Sequence, residues 1–264
     1  HPNIRRDLLA MKARVEGIRA LVMKLSNHGD RLRATQGKDD ESEAYHKGQV
    51  DLLTPLVKAY GTDAAFDVSS KAIQVHGGHG YLKDHPVEQY CRDSKIFQIY
   101  EGTNFIQSMD LVSRKLGQAG GANTQAFLLD IQSFITANKD REELKQGLQH
   151  LQAAHEAVAA SVAQFIGWFK GGKLEHIPLA AEQFLAIMCE LAVGWLLLEQ
   201  AAIAVEKLPE TSETHPDHAF YTGKKFAAQF FANNVLTTLP SRVQRLSQID
   251  TLPVEMPAEA FATI

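Results

Sequence analysis

Two short segments carry the residue types that could bind a cofactor and move a proton. The first is Gln74–Tyr81, in which three glycines fall within the four residues 77–80. Glycine lets a ligand approach backbone N–H groups closely, which suits a phosphate or pyrophosphate. The second is Tyr100-Glu101-Gly102-Thr103, where a carboxylate stands just before a predicted helix. An apolar neighbourhood would make this carboxylate a stronger base.

Each segment also has an ordinary structural interpretation. A glycine turn between two helices is usually only a turn. A glutamate at the start of a helix is commonly favoured by the positive end of the helix dipole. The residue types therefore leave both interpretations open when each segment is taken alone.

Taken together and in order, the two segments resemble the signature of the acyl-CoA dehydrogenase family. That signature has Gln, a Gly-Gly-x-Gly-aromatic turn, Pro-x-Glu, Arg-Asp and then Tyr-Glu-Gly-Thr. The matching residues here are Gln74, Gly77-Gly78-His79-Gly80-Tyr81, Pro86-Val87-Glu88, Arg92-Asp93 and Tyr100-Glu101-Gly102-Thr103. His76 and His79 depart from the apolar residues or asparagine that are commoner in those positions. The resemblance covers residues 1–116.

The resemblance implies a catalytic base and a reaction. Glu101 is expected to remove the α-proton of an acyl-CoA thioester while the β-hydrogen leaves as hydride to FAD, which gives a trans-2-enoyl-CoA. In the family, the backbone N–H of the same glutamate and a flavin hydroxyl bind the thioester oxygen. Gly102 is then expected to lie against the substrate, where a side chain would collide with it.

The resemblance also implies FAD contacts and partners. Five residues are expected to contact the ADP half of a neighbouring subunit's FAD across a homodimer interface: Gln74, Val75, His76, Gly77 and Gly78. Three residues are expected to contact the FAD of the same active site: Thr103, Asn104 and Phe105. The expected partners are an acyl-CoA substrate and electron-transfer flavoprotein or a similar electron acceptor.

Other reactive side chains near these segments are interpreted as structural. His76, His79 and His85 lie on or beside a glycine turn with only Asp84 nearby, which matches no ordinary ligand set, so no metal site is expected. The Arg-Asp pair at 92–93 is interpreted as an internal ion pair or a packing contact.

The stretches of chain around the two segments are predicted to be helical, because apolar residues recur in them every three or four positions. The first predicted helix runs from Ile4 with Asn3 as its N-cap, and a solvated loop is expected at about 27–43. The second helix is predicted at about 45–76, and Pro55 marks either a kink or its true beginning. Further helices are predicted at about 86–95 and 103–116. The apolar stripe of the first helix consists of Leu8, Met11, Val15, Ile18, Val22 and Leu25.

A small-residue linker at 117–123 predicts a boundary between two parts, 1–116 and 124–264. Helices are predicted beyond it at about 124–137, 140–170, 179–206, 217–236 and 240–249. No strand signal is found, so the predicted fold class is all-α: an up-and-down helical bundle followed by a second helical bundle. The second part resembles the C-terminal extension of the long acetyl-CoA and 3-methylmercaptopropionyl-CoA dehydrogenase-like group, in which the extension favours dimers.

Composition excludes several classes of protein. With 45% hydrophobic and 22% charged residues, the chain is typical of globular proteins. The net charge of -4 is dispersed, so no nucleic-acid or anionic-membrane partner is expected. The most apolar stretch, Phe184–Leu198, contains Glu190 and is too short to cross a bilayer, which predicts a buried helix and no transmembrane segment. Cys91 and Cys189 lack partner patterns, so a reducing, cytoplasmic location is expected.

The family normally also has an N-terminal helical domain and a β-domain that holds the flavin ring, and neither is in these residues. We therefore expect a C-terminal fragment that alone is inactive and retains little or no FAD. Two alternatives remain at this point: an acyl-CoA oxidase, which passes the electrons to oxygen, and a noncatalytic helical interaction module.

Overall fold

A computed structural model describes residues 1–262, and over that range the chain is helical without β-strands. This confirms the all-α prediction. The helices are α1 (Pro2–Thr35), α2 (Asp40–His76), α3 (Val87–Ser94), α4 (Asn104–Asp110), α5 (Ala122–Asn138), α6 (Lys145–Lys170), α7 (His176–Lys207), α8 (Pro216–Asn234), α9 (Leu239–Ser247) and α10 (Leu252–Glu255). Short 3₁₀ turns follow α2 and α3, and a π-helical turn at Leu111–Lys115 continues α4.

Helices α1 and α2 form a hairpin whose ends differ from the prediction in two places. The loop predicted at 27–43 is wrong, because α1 continues to Thr35 and α2 begins at Asp40, with the Asp39 carboxylate accepting from the Ser42 N–H. The prediction failed because exposed polar residues show no apolar period even when they form a helix. Side-chain contacts one turn apart, such as the one from Arg31 to Asn27, stabilise this part of α1. Asn3 is also wrong as the N-cap, because proline at position 2 opens the helix.

Prolines mark the other helix ends less exactly than predicted, whereas the glycine turn marks one of them correctly. Pro55 lies inside α2 and is buried, so the alternative that it begins this helix is wrong. Pro178 lies in the first turn of α7, which starts at His176, three residues before the predicted start. The glycines after His76 end α2 as predicted.

A buried pair of imidazoles joins the far end of the hairpin. His28 on α1 and His46 on α2 are only 4% and 8% exposed, and their Nδ1 atoms lie 3.0 Å apart. One ring must donate and the other accept, so at least the accepting ring is neutral. Burial lowers the pKa of His28 to about 4, with further contributions from Lys24, His46 and Arg31. Burial and Arg31 also lower the pKa of His46.

We expect the folded chain to lose stability as the pH falls from about 6.5 towards 4. In this window the unfolded chain binds protons at His28 and His46 that the folded chain excludes, so acid favours unfolding. The lowered pKa of His28 alone corresponds to a fall of about 3 kcal/mol in the free energy of unfolding over this window. Urea unfolding of parent and His28→Gln at a series of pH values measures the effect. An unchanged pH slope in the variant would contradict this assignment.

One hydrophobic core contains residues from both sides of the predicted linker. Helix α7 packs against α1, α2, α4, α6 and α8, and its buried residues extend from Ile177 to Ala204. At the crossing with α1, a Cβ added to Gly17 would lie 2.3 Å from Val193 Cγ1, so the two backbones approach closely. The Lys24 ammonium lies 4.4 Å from the centroid of the Trp195 ring. The two-part division at 117–123 stays a prediction.

Helix α7, with the turn after it, is long and apolar enough to cross a membrane, but 78% of its most apolar window is buried inside the protein. Phe184 is fully buried, and Glu190 is bonded to Arg242 on α9. The apolar residues therefore pack against other helices, which confirms the prediction of a buried helix.

Candidate active site

Glu101 lies at the tip of the turn between the 3₁₀ turn Lys95–Gln98 and α4. Its φ is +20° and that of Gly102 is +66°, a combination that reverses the chain direction sharply. Thr103 then caps α4, with its Oγ1 accepting from the Ile106 N–H at 3.3 Å. The side chain of Glu101 is exposed, and within residues 1–262 its carboxylate has no hydrogen-bond or ion-pair partner. The carboxylate is therefore free to act on a bound molecule.

Apolar side chains flank this carboxylate and are unusually exposed. Ile99, Tyr100, Phe105 and Ile106 are 43% to 54% exposed. An exposed cluster of large apolar residues indicates a surface that another protein segment or a ligand covers. When that surface is covered, Glu101 would lie in an apolar environment.

The segment that carries Glu101 is bound to α2 by polar side chains. The Lys58 ammonium donates to Phe97 O at 3.0 Å and to Asn104 Oδ1 at 2.9 Å. The Asp63 carboxylate accepts from Gln98 Nε2 at 2.8 Å and from Asn104 Nδ2 at 2.6 Å. Lys58 and Asp63 could not be identified from the sequence, because their partners lie about forty residues further along the chain. No local signal distinguished them from the other polar residues on the helix before Gln74.

Thr103, Asn104 and Phe105, the predicted same-site FAD contacts, line one cleft of about 490 Å³. Its other walls are α2, including Tyr60 and Asp63, and the first half of α7, including Glu182 and Leu185. The predicted extension therefore contributes to the surroundings of the Glu101 turn. The amide of Asn104 is already bonded to α2, whereas Phe105 is exposed.

The glycine turn after α2 contains glycines that are needed for different reasons. Gly77 has a φ of +64°, which side-chain-bearing residues rarely adopt. A Cβ on Gly80 would lie 2.7 Å from Ile73 O, so its packing excludes a side chain. Gly78 has neither constraint: a Cβ there would meet nothing within 4 Å. Packing within the described residues therefore does not require glycine at position 78. A ligand that approached the backbone closely would require it.

Gln74 lies in a second cleft, between α1 and α2, of about 490 Å³. Lys71 and Arg14 also line it, and Arg14 is paired with Asp67 at 2.5 Å. Gln74 and the turn residues 76–79 are exposed. The structure thus places the predicted ADP contacts on an open surface, and Gln74 lies in a different cleft from Thr103–Phe105.

The remaining candidates have structural partners. Arg92 donates to Glu88 at 2.9 Å and lies 3.7 Å from Asp93, and both Arg92 and Asp93 are exposed, so the expected internal pair is a surface pair. Cys189 is buried, which raises the pKa of its thiol. Among the residues that the structure describes, no group of three metal-ligating side chains is found.

Two family profiles match this chain in succession. The acyl-CoA dehydrogenase C-terminal domain matches residues 1–116, and the acetyl-CoA dehydrogenase C-terminal-like domain matches residues 127–257. The chain belongs to the acyl-CoA dehydrogenase family. The part of the family fold that it spans is the C-terminal helical part.

Individual acyl-CoA dehydrogenases align along nearly the whole chain. The broad-specificity linear acyl-CoA dehydrogenase of Mycobacterium tuberculosis is 33% identical and aligns with 99% of this chain and 43% of its own length. The 3-methylmercaptopropionyl-CoA dehydrogenase of Ruegeria pomeroyi is also 33% identical and aligns with 94% of this chain and 41% of its own length. The chain thus spans about two fifths of the length of these relatives.

A solved acyl-CoA dehydrogenase has the same fold. The structure from Bacillus anthracis, complexed with FAD, superimposes with a TM-score of 0.70 at 18% identity. It covers 98% of this chain and 43% of its own. Both matched segments of the chain therefore fold as in an acyl-CoA dehydrogenase.

Proposed function

We propose that this chain is the C-terminal part of an FAD-dependent acyl-CoA dehydrogenase that converts an acyl-CoA thioester to a trans-2-enoyl-CoA. The observation that carries the proposal is the Glu101 turn, where an unpartnered carboxylate stands among exposed apolar side chains. A covering segment of the complete enzyme would exclude water there, and a carboxylate in such a pocket is a competent general base.

In this proposal Glu101 accepts the α-proton of the thioester. The C–H bond breaks, an O–H bond forms on the carboxylate, and negative charge develops on the thioester oxygen. Donors aimed at that oxygen lower the barrier. Gly102 follows the base with a φ that favours glycine, which keeps side-chain atoms away from the reacting carbon.

The exposed glycine turn fits the ADP half of FAD. Gly78 leaves the backbone open to a ligand, and Gln74 shares its cleft with the half-exposed ammonium of Lys71, whose charge suits a pyrophosphate. Gln74, Val75, His76, Gly77 and Gly78 would hold this half in a homodimer, and Thr103–Phe105 would contact the flavin of the same site. When bound, FAD supplies the acceptor for the hydride that leaves the β-carbon.

The proposal also covers the electron acceptor, the behaviour of the isolated chain and its location in the cell. Electron-transfer flavoprotein or a similar protein reoxidises the flavin. The isolated chain is inactive and retains little FAD, because Glu101 and the glycine turn are both open to solvent. The cytoplasmic location rests on the two free cysteines.

Anaerobic addition of acyl-CoA to the complete, FAD-loaded enzyme should bleach the visible absorption of the flavin. Electron-transfer flavoprotein should then restore the colour much faster than oxygen does. An S-alkyl-CoA thioether, which has no carbonyl to acidify the α-carbon, serves as the matched control. Rapid reoxidation by oxygen with peroxide formation would instead identify an oxidase. A fully loaded flavin that no acyl-CoA reduces would contradict dehydrogenation and favour a noncatalytic module.

A further inference from the structure

The Glu101 turn is anchored to α2 on both sides by one set of polar side chains. Before the turn, Phe97 O accepts from Lys58 and Gln98 donates to Asp63. After the turn, Asn104 bonds to both Lys58 and Asp63. Only residues 99–103 lie between these anchors.

Asn104 is the centre of this set. Its Oδ1 accepts from Lys58 Nζ at 2.9 Å and from Thr62 Oγ1 at 3.1 Å. Its Nδ2 donates to Asp63 Oδ1 at 2.6 Å and to Ala59 O at 3.3 Å. Both ends of the amide are therefore satisfied by α2, which fixes the orientation of the side chain.

Charge strengthens these bonds. Lys58 and Asp63 are ionised partners of neutral groups, and such hydrogen bonds are stronger than those between two neutral groups. Burial lowers the pKa of the half-buried Lys58 ammonium and raises that of the Asp63 carboxyl, although the Asp63 side chain itself is exposed. The bonds from Asn104 to Lys58, Thr62 and Ala59 are partly buried, so they resist competition by solvent better than the exposed bonds to Asp63.

We propose that Lys58, Asp63 and Asn104 form a positioning clamp that holds the Glu101 carboxylate at the place where it meets the α-carbon of the thioester. This inference rests on the proposed function. Glu101 is not among the bonding partners of Lys58. The clamp acts through the backbone: a short segment fixed at both ends, with two residues at positive φ, has few conformations in which to place the base. A displacement of about 1 Å in a catalytic group costs about 100-fold in rate.

The test compares three variants of the complete, FAD-loaded enzyme. Lys58→Met removes the ammonium, Lys58→Arg keeps a charged donor, and Lys47→Met removes an exposed ammonium elsewhere on α2. We expect Lys58→Met to lower kcat about 10- to 100-fold while KM and flavin content stay within about twofold. Amide hydrogens of residues 97–104 should exchange faster in this variant. Lys58→Arg should recover most of the rate, and Lys47→Met should match the parent.

The outcomes separate the clamp from the proposed function. If Lys58→Met keeps the parental kcat while Glu101→Gln is inactive, the clamp is overturned and the base assignment stands. If flavin content falls in parallel with kcat, Lys58 serves cofactor binding and the clamp is overturned. If Glu101→Gln keeps the parental kcat, or the parent enzyme does not reduce its flavin with any acyl-CoA, the proposed function fails and the clamp has no catalytic role.

Discussion

Replacing Glu101 with glutamine in the complete, FAD-loaded enzyme is expected to lower the rate of flavin reduction by acyl-CoA about 1000-fold. Glutamine has nearly the same shape as glutamate but its amide cannot accept the α-proton. Because the carboxylate has no partner within residues 1–262, the substitution breaks no bond that supports the turn. Stopped-flow measurement of the reductive half-reaction isolates the proton-removal step from reoxidation by the acceptor.

Glu143→Gln provides the matched control. Glu143 is also exposed, but it lies in the 3₁₀ turn Glu142–Leu144 before α6. The control should reduce its flavin within about twofold of the parental rate, since Glu143 is exposed and lines neither of the two clefts at the site. If Glu101→Gln reduced its flavin as fast as this control, the base would have to be another group.

Gly17→Ala is expected to destabilise the folded chain by about 1 to 3 kcal/mol. The added methyl would lie 2.3 Å from Val193 Cγ1, which is attached directly to the Cβ of a helical residue and cannot move far. Either α1 and α7 separate or Val193 leaves its preferred rotamer, and both cost free energy. The free energy of unfolding in urea measures the loss.

Gly29→Ala is the control on the same helix. A Cβ at Gly29 meets nothing within 4 Å, so this substitution should stabilise α1 by about 0.5 to 1 kcal/mol through helix propensity alone. Val193→Ala combined with Gly17→Ala should be less destabilising than the sum of the two single changes, because the smaller residue removes the collision. Equal effects at Gly17 and Gly29 would show that the close crossing does not exist.

The helices that carry the candidate site could be predicted because their signals are local. The three glycines after His76 end α2 where expected, and Thr103 caps α4 directly after the Glu101 turn. Both events depend on residue types within a few positions of each other. The family resemblance then assigned roles to these residues that periodicity could not assign.

The apolar stripe of α1 could be identified but not placed. Leu8, Val15 and Val22 are 40% to 48% exposed, whereas Ala13 and Leu21 are buried. Periodicity reports that a helix has an apolar face, not what covers it. Within residues 1–262, Leu21 and the small residues of α1 are buried, Ile18 and Leu25 pack against the edge of the core, and Leu8, Val15 and Val22 are exposed.

The clamp could not be predicted, because it joins residues far apart in the chain. Lys58 and Asn104 are separated by 46 positions, and their contact depends on how α2 and α4 pack. Polar residues on a helix surface are usually solvated, so the sequence offered no reason to select Lys58 or Asp63. Their role emerges only when the distances are known.

The close crossing of α1 and α7 also limits how this chain could have evolved. Gly17 lies in the segment that matches one family profile and Val193 in the segment that matches the other. Recombination that exchanged only the later segment between two relatives would combine an α1 and an α7 from different proteins. The residues at their crossing would then not have evolved to fit each other. Inheritance of the two segments as a pair would avoid that mismatch, so their sequences should share one evolutionary history.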